Sequence, residues 1–302
     1  MRRFVIAIVL TSGISALVPP ATRAQSRCGD PNPEISISLC SAIIQSGRVK
    51  GRDLAVAHTE RGVAYVALFD YDRALTDFTE AIRLDATFAR AFANRGAVYA
   101  AKQEFDNAIG DFTRVIALDP RSATAFADRA GMHRLNGTHD AAIRDYTEAI
   151  RLDPMFGEAI LNRAIALAGT SRCVDAIADF TRAIELHAND AIALADRAAC
   201  YEKGGRDDLA LKDYTAHLEL DPRSHYGLEL RGALHFRAKR YDAALDDFAQ
   251  ALAVNPSSPA ALYGRGMVRR MTGDTPGGDV DIETAKAMRA RVVEQMADRG
   301  VR

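Results

Sequence analysis

The chain has no tryptophan, only four cysteines and ten prolines in 302 residues, and aromatics make up 7% of it. So little ring volume excludes a core filled by large side chains and points to helices packed closely through small ones. Four cysteines exclude a disulfide-dense miniature fold and leave room for two bridges at most. No block of lysine or arginine stands out and the net charge is −1 with neutral histidines, so the footprint of a nucleic-acid binder is missing. Past the first two dozen residues no apolar run approaches the roughly 20 needed to cross a bilayer. With 48% hydrophobic and 26% charged residues, the chain is rich enough in core formers to exclude disorder.

Catalytic signatures are missing too. His58, His133, His139, His187, His217, His225 and His235 form no i,i+4 pair and no cysteine-flanked metal motif. His133 and His235 instead fall where a core ring is expected. The glycine-bearing stretches GTHDAA and TPGGD read as turns between helices, not phosphate cradles. The sequence therefore implies no enzyme, no cofactor and no metal.

The opening MRRFVIAIVLTSGISALVPPATRA reads as a secretory leader over residues 1–24. Arg2 and Arg3 form a basic start, Phe4 to Val18 an apolar stretch too short to span, and Thr22-Arg23-Ala24 a small-residue cleavage site. Losing Arg2, Arg3 and Arg23 takes the 39 basic residues to 36 against 40 acids, a net −4. A periplasmic or secreted location follows as an expectation.

From Ala55 the chain repeats every 34 residues without insertion, in units 55–88, 89–122, 123–156, 157–190, 191–224, 225–258 and 259–292. A fixed period of this length marks a stacked array. Each unit divides into two amphipathic helices. Gly62, Gly96, Ala130, Ala164, Ala198, Gly232 and Gly266 keep one place tiny in the first helix; Ala74, Ala108, Ala142, Ala176, Ala210, Ala244 and Gly278 do so in the second. Phe78, Phe112, Tyr146, Phe180, Tyr214 and Phe248 fill the space between, with Ile282 in the last unit. Asp72, Asp106, Asp140, Asp208 and Asp242 start the second helix, where a carboxylate caps free amides and meets the positive dipole end. Leu-Asp-Pro closes units at 118–120, 152–154 and 220–222.

These places and this period resemble the tetratricopeptide repeat, over residues 55 to about 292. The resemblance implies an all-α, right-handed superhelical solenoid of helix–turn–helix units. Leu167 stands where that family usually has an aromatic, Ala188 where it has a proline, and TPGGDVDIETAKAM makes the seventh unit a degenerate cap. Residues 25–54 read as a leading cap containing half a repeat, Ile35 to Gln45, and residues 293–302 as an extension of the final helix.

One arginine recurs in every unit: Arg61, Arg95, Arg129, Arg163, Arg197, Arg231 and Arg265. Sixteen residues after each stands an aspartate: Asp77, Asp111, Asp145, Asp179, Asp213, Asp247 and Asp281. The two are level across a helical hairpin, and the preceding unit's aspartate, eighteen residues back, is nearly level as well. The arginine fork is expected to bridge both carboxylates. One positive matched to one negative charge makes this a register pin for the stack more than a ligand site.

In the resembled family the first helices line a concave groove. The matching places here hold Arg90, Glu158, Leu161, Tyr226, Glu229, Phe236, Tyr263, Met267 and Arg270, beside a polar row of Asn94, Asp128, Asn162 and Asp196. That row resembles asparagine ladders that hold peptide backbones, with two aspartates favouring a basic ligand. The family's carboxylate clamp is not reproduced, since Ala93, Ala97, Ala127 and Gly131 occupy its places. Tyr226, Phe236, Tyr263 and Met267 are read either as an anchor pocket or as core beneath a cap. Cys28–Cys40 and Cys173–Cys200 are the favoured disulfides, the second pair standing against two buried thiols. The resulting expectation is an exported, non-enzymatic scaffold or adaptor binding a protein or peptide of the cell envelope. The alternatives are a cell-wall or carbohydrate-binding module and an undetected hydrolase.

Overall fold

The computed structural model describes residues 28–187 and 190–302, so the expected leader lies outside the described residues. These form sixteen α-helices and no strand. They group into two compact bodies, one ending at Ala159 and one beginning at Ile160.

The N-terminal body holds α1 (Pro33–Gln45), α2 (Gly51–Ala67), α3 (Tyr71–Leu84), α4 (Ala89–Ala101), α5 (Phe105–Leu118), α6 (Ala123–Leu135) and α7 (His139–Leu152). The first residues of α8 (Gly157–Gly169) close it, and the rest of α8 opens the C-terminal body. There follow α9 (Cys173–Glu185), α10 (Asp190–Lys203), α11 (Asp207–Leu220), α12 (His225–Arg237), α13 (Tyr241–Val254), α14 (Pro259–Met271), α15 (Thr275–Met288) and α16 (Val292–Ala297). The hairpins α2–α3, α4–α5, α6–α7, α10–α11, α12–α13 and α14–α15 are the most intimate helix pairs in the two bodies.

The small places explain that intimacy. A Cβ at Gly62 would lie 2.6 Å from Phe78, and one at Gly232 3.1 Å from Phe248, so the ring of the second helix rests on bare backbone of the first. Ala74, Ala108, Ala142, Ala176, Ala210 and Ala244 are all fully buried, as are Phe78, Phe180, Tyr214 and Phe248. The seventh repeat is a full hairpin despite its unusual sequence. A Cβ at Gly266 would lie 2.7 Å from the Gly278 carbonyl oxygen, so backbone meets backbone at its crossing. Asp274 caps α15 by accepting the Gly277 amide at 3.0 Å.

Each first helix ends in the same way. Phe69, Gln103, Gly137, Ser171, Gly205, Lys239 and Gly273 all have positive φ, spaced 34 residues apart. At Gln103 its own N–H bonds Ala100 O and the next one, Glu104, reaches back to Tyr99 O, a Schellman closure that satisfies the last carbonyls. The aspartate of the unit-closing Leu-Asp-Pro forms an Asx turn: Asp119 accepts the Arg121 amide and Asp153 that of Met155.

Two expectations about charge are corrected. All seven arginine–aspartate pairs form as two-pronged bonds across the hairpin. Arg197 Nε and Nη2 reach Asp213 at 2.7 and 2.9 Å. Arg163 holds Asp179 in the same fork at 2.7 and 2.8 Å. Arg231 holds Asp247 at 3.0 and 2.7 Å, and Arg265 holds Asp281 at 2.8 and 2.7 Å. Where the third nitrogen of the fork reaches a second element, however, its partner is a hydroxyl and not the preceding aspartate. Arg95, Arg129 and Arg197 donate Nη1 to Thr79, Thr113 and Thr181, and Arg61 to Ser41. A hydroxyl both accepts and donates, and Thr113 and Thr181 pass their own proton to Ile109 O and Ile177 O one turn back. A second carboxylate would have left excess negative charge beside a half-buried pair; the threonine completes the arginine without it. For Arg61, Arg95, Arg129 and Arg197 the expected bridge to two aspartates is thus replaced by a fork to the aspartate of the same repeat and a bond to a hydroxyl.

The first-turn aspartates stand at the dipole end as expected, but the bonds of Asp72 and Asp106 go to side chains of the next repeat. Asp72 accepts from Lys102 Nζ and Asp106 from Asn136 Nδ2, each at 2.9 Å. Both stand in the first turn, at the positive end of the helix dipole, and reach the end of the next first helix. They tie repeat to repeat, while capping of α3 falls to Asp70.

Candidate functional site

In the N-terminal body the first-helix face carries Arg90, Asn94, Asp128 and Glu158. Arg90 is held by Glu60, Nη1 to Oε1 at 2.6 Å, which removes it as a free anion-binding group. Asn94 Nδ2 is buried without a hydrogen-bond partner. Asp128 is exposed by area yet ringed by protein. That desolvation, with the Glu158 charge beside it, pushes its carboxyl up to about 6. The first helices of this body also carry Ala93, Ala97, Ala127 and Gly131, small residues that are only partly buried.

The C-terminal body holds the remaining expected residues, and here the aromatics follow the second of the two readings, core beneath a cap. Phe236 and Tyr263 are each 7% exposed. They share one core cluster with Val292, Met296 and Val301, with Met267 packed against it. What covers them is α16 and the residues after it, lying on α14. The expected continuous extension of the final helix is broken: Arg289 leaves α15 in extended conformation, and α16 starts afresh after Arg291. Tyr226 keeps an exposed edge, and the Arg299 guanidinium lies over its ring at 5.6 Å.

Glu229 is buried and accepts from Ser258 Oγ, whose oxygen caps α14 at the Ala261 amide. It anchors a helix start and does not face a groove. Leu161 is likewise buried, while Asn162 and Asp196 are half-buried and each has an interaction partner. Arg270 is exposed, 3.5 Å from Asp279.

The cysteines divide. Cys28 and Cys40 are joined, fastening the leading loop to α1. Cys173 and Cys200 are thiols, so the second expected bridge is not formed. They are hydrogen-bonded neighbours, and burial, then Cys173 itself, pushes the Cys200 thiol up to about 12. A thiol held neutral in this way is a poor nucleophile for forming the bridge. His133 and His235 pack 4.0 and 3.9 Å from Asp145 and Asp247 of the ladder, their pKa values lowered chiefly by burial. No group of metal-ligating side chains occurs among the described residues. No described helix is long and apolar enough to cross a membrane.

Helical hairpins in strict 34-residue register, closed by small–aromatic contacts, define a tetratricopeptide-repeat protein. The family model described as the ETO1 C-terminal domain matches residues 24–239, and the chain belongs to that family; a tetratricopeptide-repeat model also matches residues 230–277. No curated protein matches the chain significantly. Among solved structures it is similar to the C-terminal part of a TPR repeat-containing protein from Cytophaga hutchinsonii (19% identity, TM-score 0.64, covering 77% of this chain and 94% of that one). It is similar as well to a tetratricopeptide repeat protein from Parabacteroides merdae (17%, TM-score 0.61, 82% and 99%). A third is YrrB, described as a TPR protein with an unusual peptide-binding site (22%, TM-score 0.55, 62% and 97%). At these identities the likeness is one of fold.

Proposed function

We propose that the chain is an exported, non-enzymatic scaffold that holds a basic segment of a partner protein along the first-helix face of its N-terminal body. The Asp128–Glu158 pair carries the reading. Two carboxylates border a floor of alanines, and one of them keeps its proton up to about pH 6. An arriving lysine or arginine favours the charged form of Asp128 and lowers that pKa, so binding releases a proton. The small floor lets a partner's backbone approach closely, and a peptide site on a solved protein of the same fold supports the choice of ligand class.

The test is fluorescence anisotropy of basic, neutral and acidic 12-residue peptides against the parent and Asp128→Asn. Basic peptides bind the parent about tenfold more tightly at pH 7 than at pH 5, and the variant loses that pH dependence. Binding of cell-wall glycan fragments with no peptide binding would overturn the reading in favour of a carbohydrate module. Turnover of ester, peptide or glycan substrates by the purified chain would end its non-enzymatic part.

A further inference from the structure

The C-terminal body has the more apolar first-helix face, and that face is covered by the chain itself. Residues 292–301 cross α14 and reach α12. Val292, Met296 and Val301 are fully buried there against Phe236 and Tyr263, and the Arg299 carbonyl accepts from Arg237 Nη1 at 3.2 Å. Gly300 fits against the Arg237 stem in left-handed conformation, where a Cβ would come within 2.4 Å of Cδ. A side chain here is excluded by both contact and φ.

Three features set this segment apart from ordinary core. First, α16 has six residues, too few to be helical without its support, and an extended Arg289 separates it from α15. Second, the surface it occupies is held without it: Arg237 is bonded to Asp207 through Nε and Nη2 and to Glu202 through Nη1, and Phe236 stacks edge-on to Tyr241 at 5.7 Å. Third, docking carries a cost, since Arg299 Nη1 is buried with no hydrogen-bond partner and a stranded donor disfavours the closed state. Three apolar anchors must also offset the ordering of about ten residues.

We infer that residues 292–301 are a built-in ligand of the α12–α14 face, detachable at Arg289–Arg291, and that the uncovered face takes a short amphipathic helix of the same apolar spacing. This site lies on a different body from the acidic pair, so either can fail without the other.

The probe is a fluorescein-labelled peptide of residues 290–302, added to the full-length parent and to Met296→Asp and Gly300→Ala variants. The parent, already occupied, binds it at least about tenfold more weakly than either variant. In the parent, amides of Met296 to Val301 exchange with deuterium about tenfold faster than those of α14, because the segment opens while the face stays folded. The inference is overturned if a variant keeps its helicity and cooperative melt yet binds no peptide. It is equally overturned if residues 296–301 and α14 exchange together, which makes the segment core. Where a variant unfolds, the exchange measurement on the parent still decides.

Discussion

Replacing Gln103, Ser171 and Lys239 by glycine is expected to stabilise the array, although each exchange deletes a side chain. All three adopt left-handed φ, at 62, 63 and 58°, where an L-residue with a Cβ loses about 1–2 kcal/mol that glycine does not. Against this, glycine loses more backbone freedom on folding, about 0.5–1 kcal/mol. The side chains are exposed, so deleting them changes the backbone term and little else. The net expectation is a gain of about 0.5–1 kcal/mol per site. With the sites well apart in sequence the gains add, to about 2 kcal/mol for the triple variant. The reverse exchange is available at Gly137 and Gly205, with φ of 77 and 70° and open space around a Cβ; alanine at either costs a similar amount. Urea titration followed by circular dichroism gives the midpoints, with unchanged slope as the check that only stability moved. A lower midpoint for Gln103→Gly together with a neutral Gly137→Ala would refute the reasoning, since both rest on the same backbone term.

Asp213→Ala, which leaves Arg197 half-buried without its carboxylate, is expected to cost about 2–4 kcal/mol, and an Arg197→Leu/Asp213→Leu double variant less than the sum of the single losses; urea midpoints of the cycle decide. Gly62→Ala, whose Cβ would enter the Phe78 ring at 2.6 Å, loses about 1–3 kcal/mol by overpacking, while Gly96→Ala, at 3.2 Å from Phe112, loses less; equal melting temperatures would contradict this. The Asp128 carboxyl is raised in the folded state from 3.8 to about 6, so its contribution to stability is full below pH 3.8 and is lost as pH rises through 6. Asp128→Asn removes that slope, and a variant whose denaturation midpoint falls as steeply as the parent's over pH 4 to 6 would place the titrating group elsewhere.

The hairpins could be read from the sequence because each depends on side-chain volume at a fixed place: no larger residue fits Gly62 or Ala74, so the period shows in the letters. The left-handed turn repeats as strictly but is invisible in them. Its seven places hold Phe, Gln, Gly, Ser, Gly, Lys and Gly, because the closing hydrogen bonds come from backbone groups that every residue carries. The fork from Arg163 to Asp179 or from Arg231 to Asp247 was legible as a sixteen-residue spacing of opposite charges. The hydroxyl partner of the ladder also leaves a trace, since threonine recurs at 79, 113, 147, 181 and 215, but charge matching alone looks for a carboxylate. The aromatic end was legible only as a pair of alternatives. A stripe of Phe236, Tyr263 and Met267 has the same spacing whether solvent, a partner or the chain's own segment covers it. Met296 and Val301 lie beyond the last 34-residue unit, and Val292 stands at its final residue. Only their burial against that stripe distinguishes an occupied face from an open one.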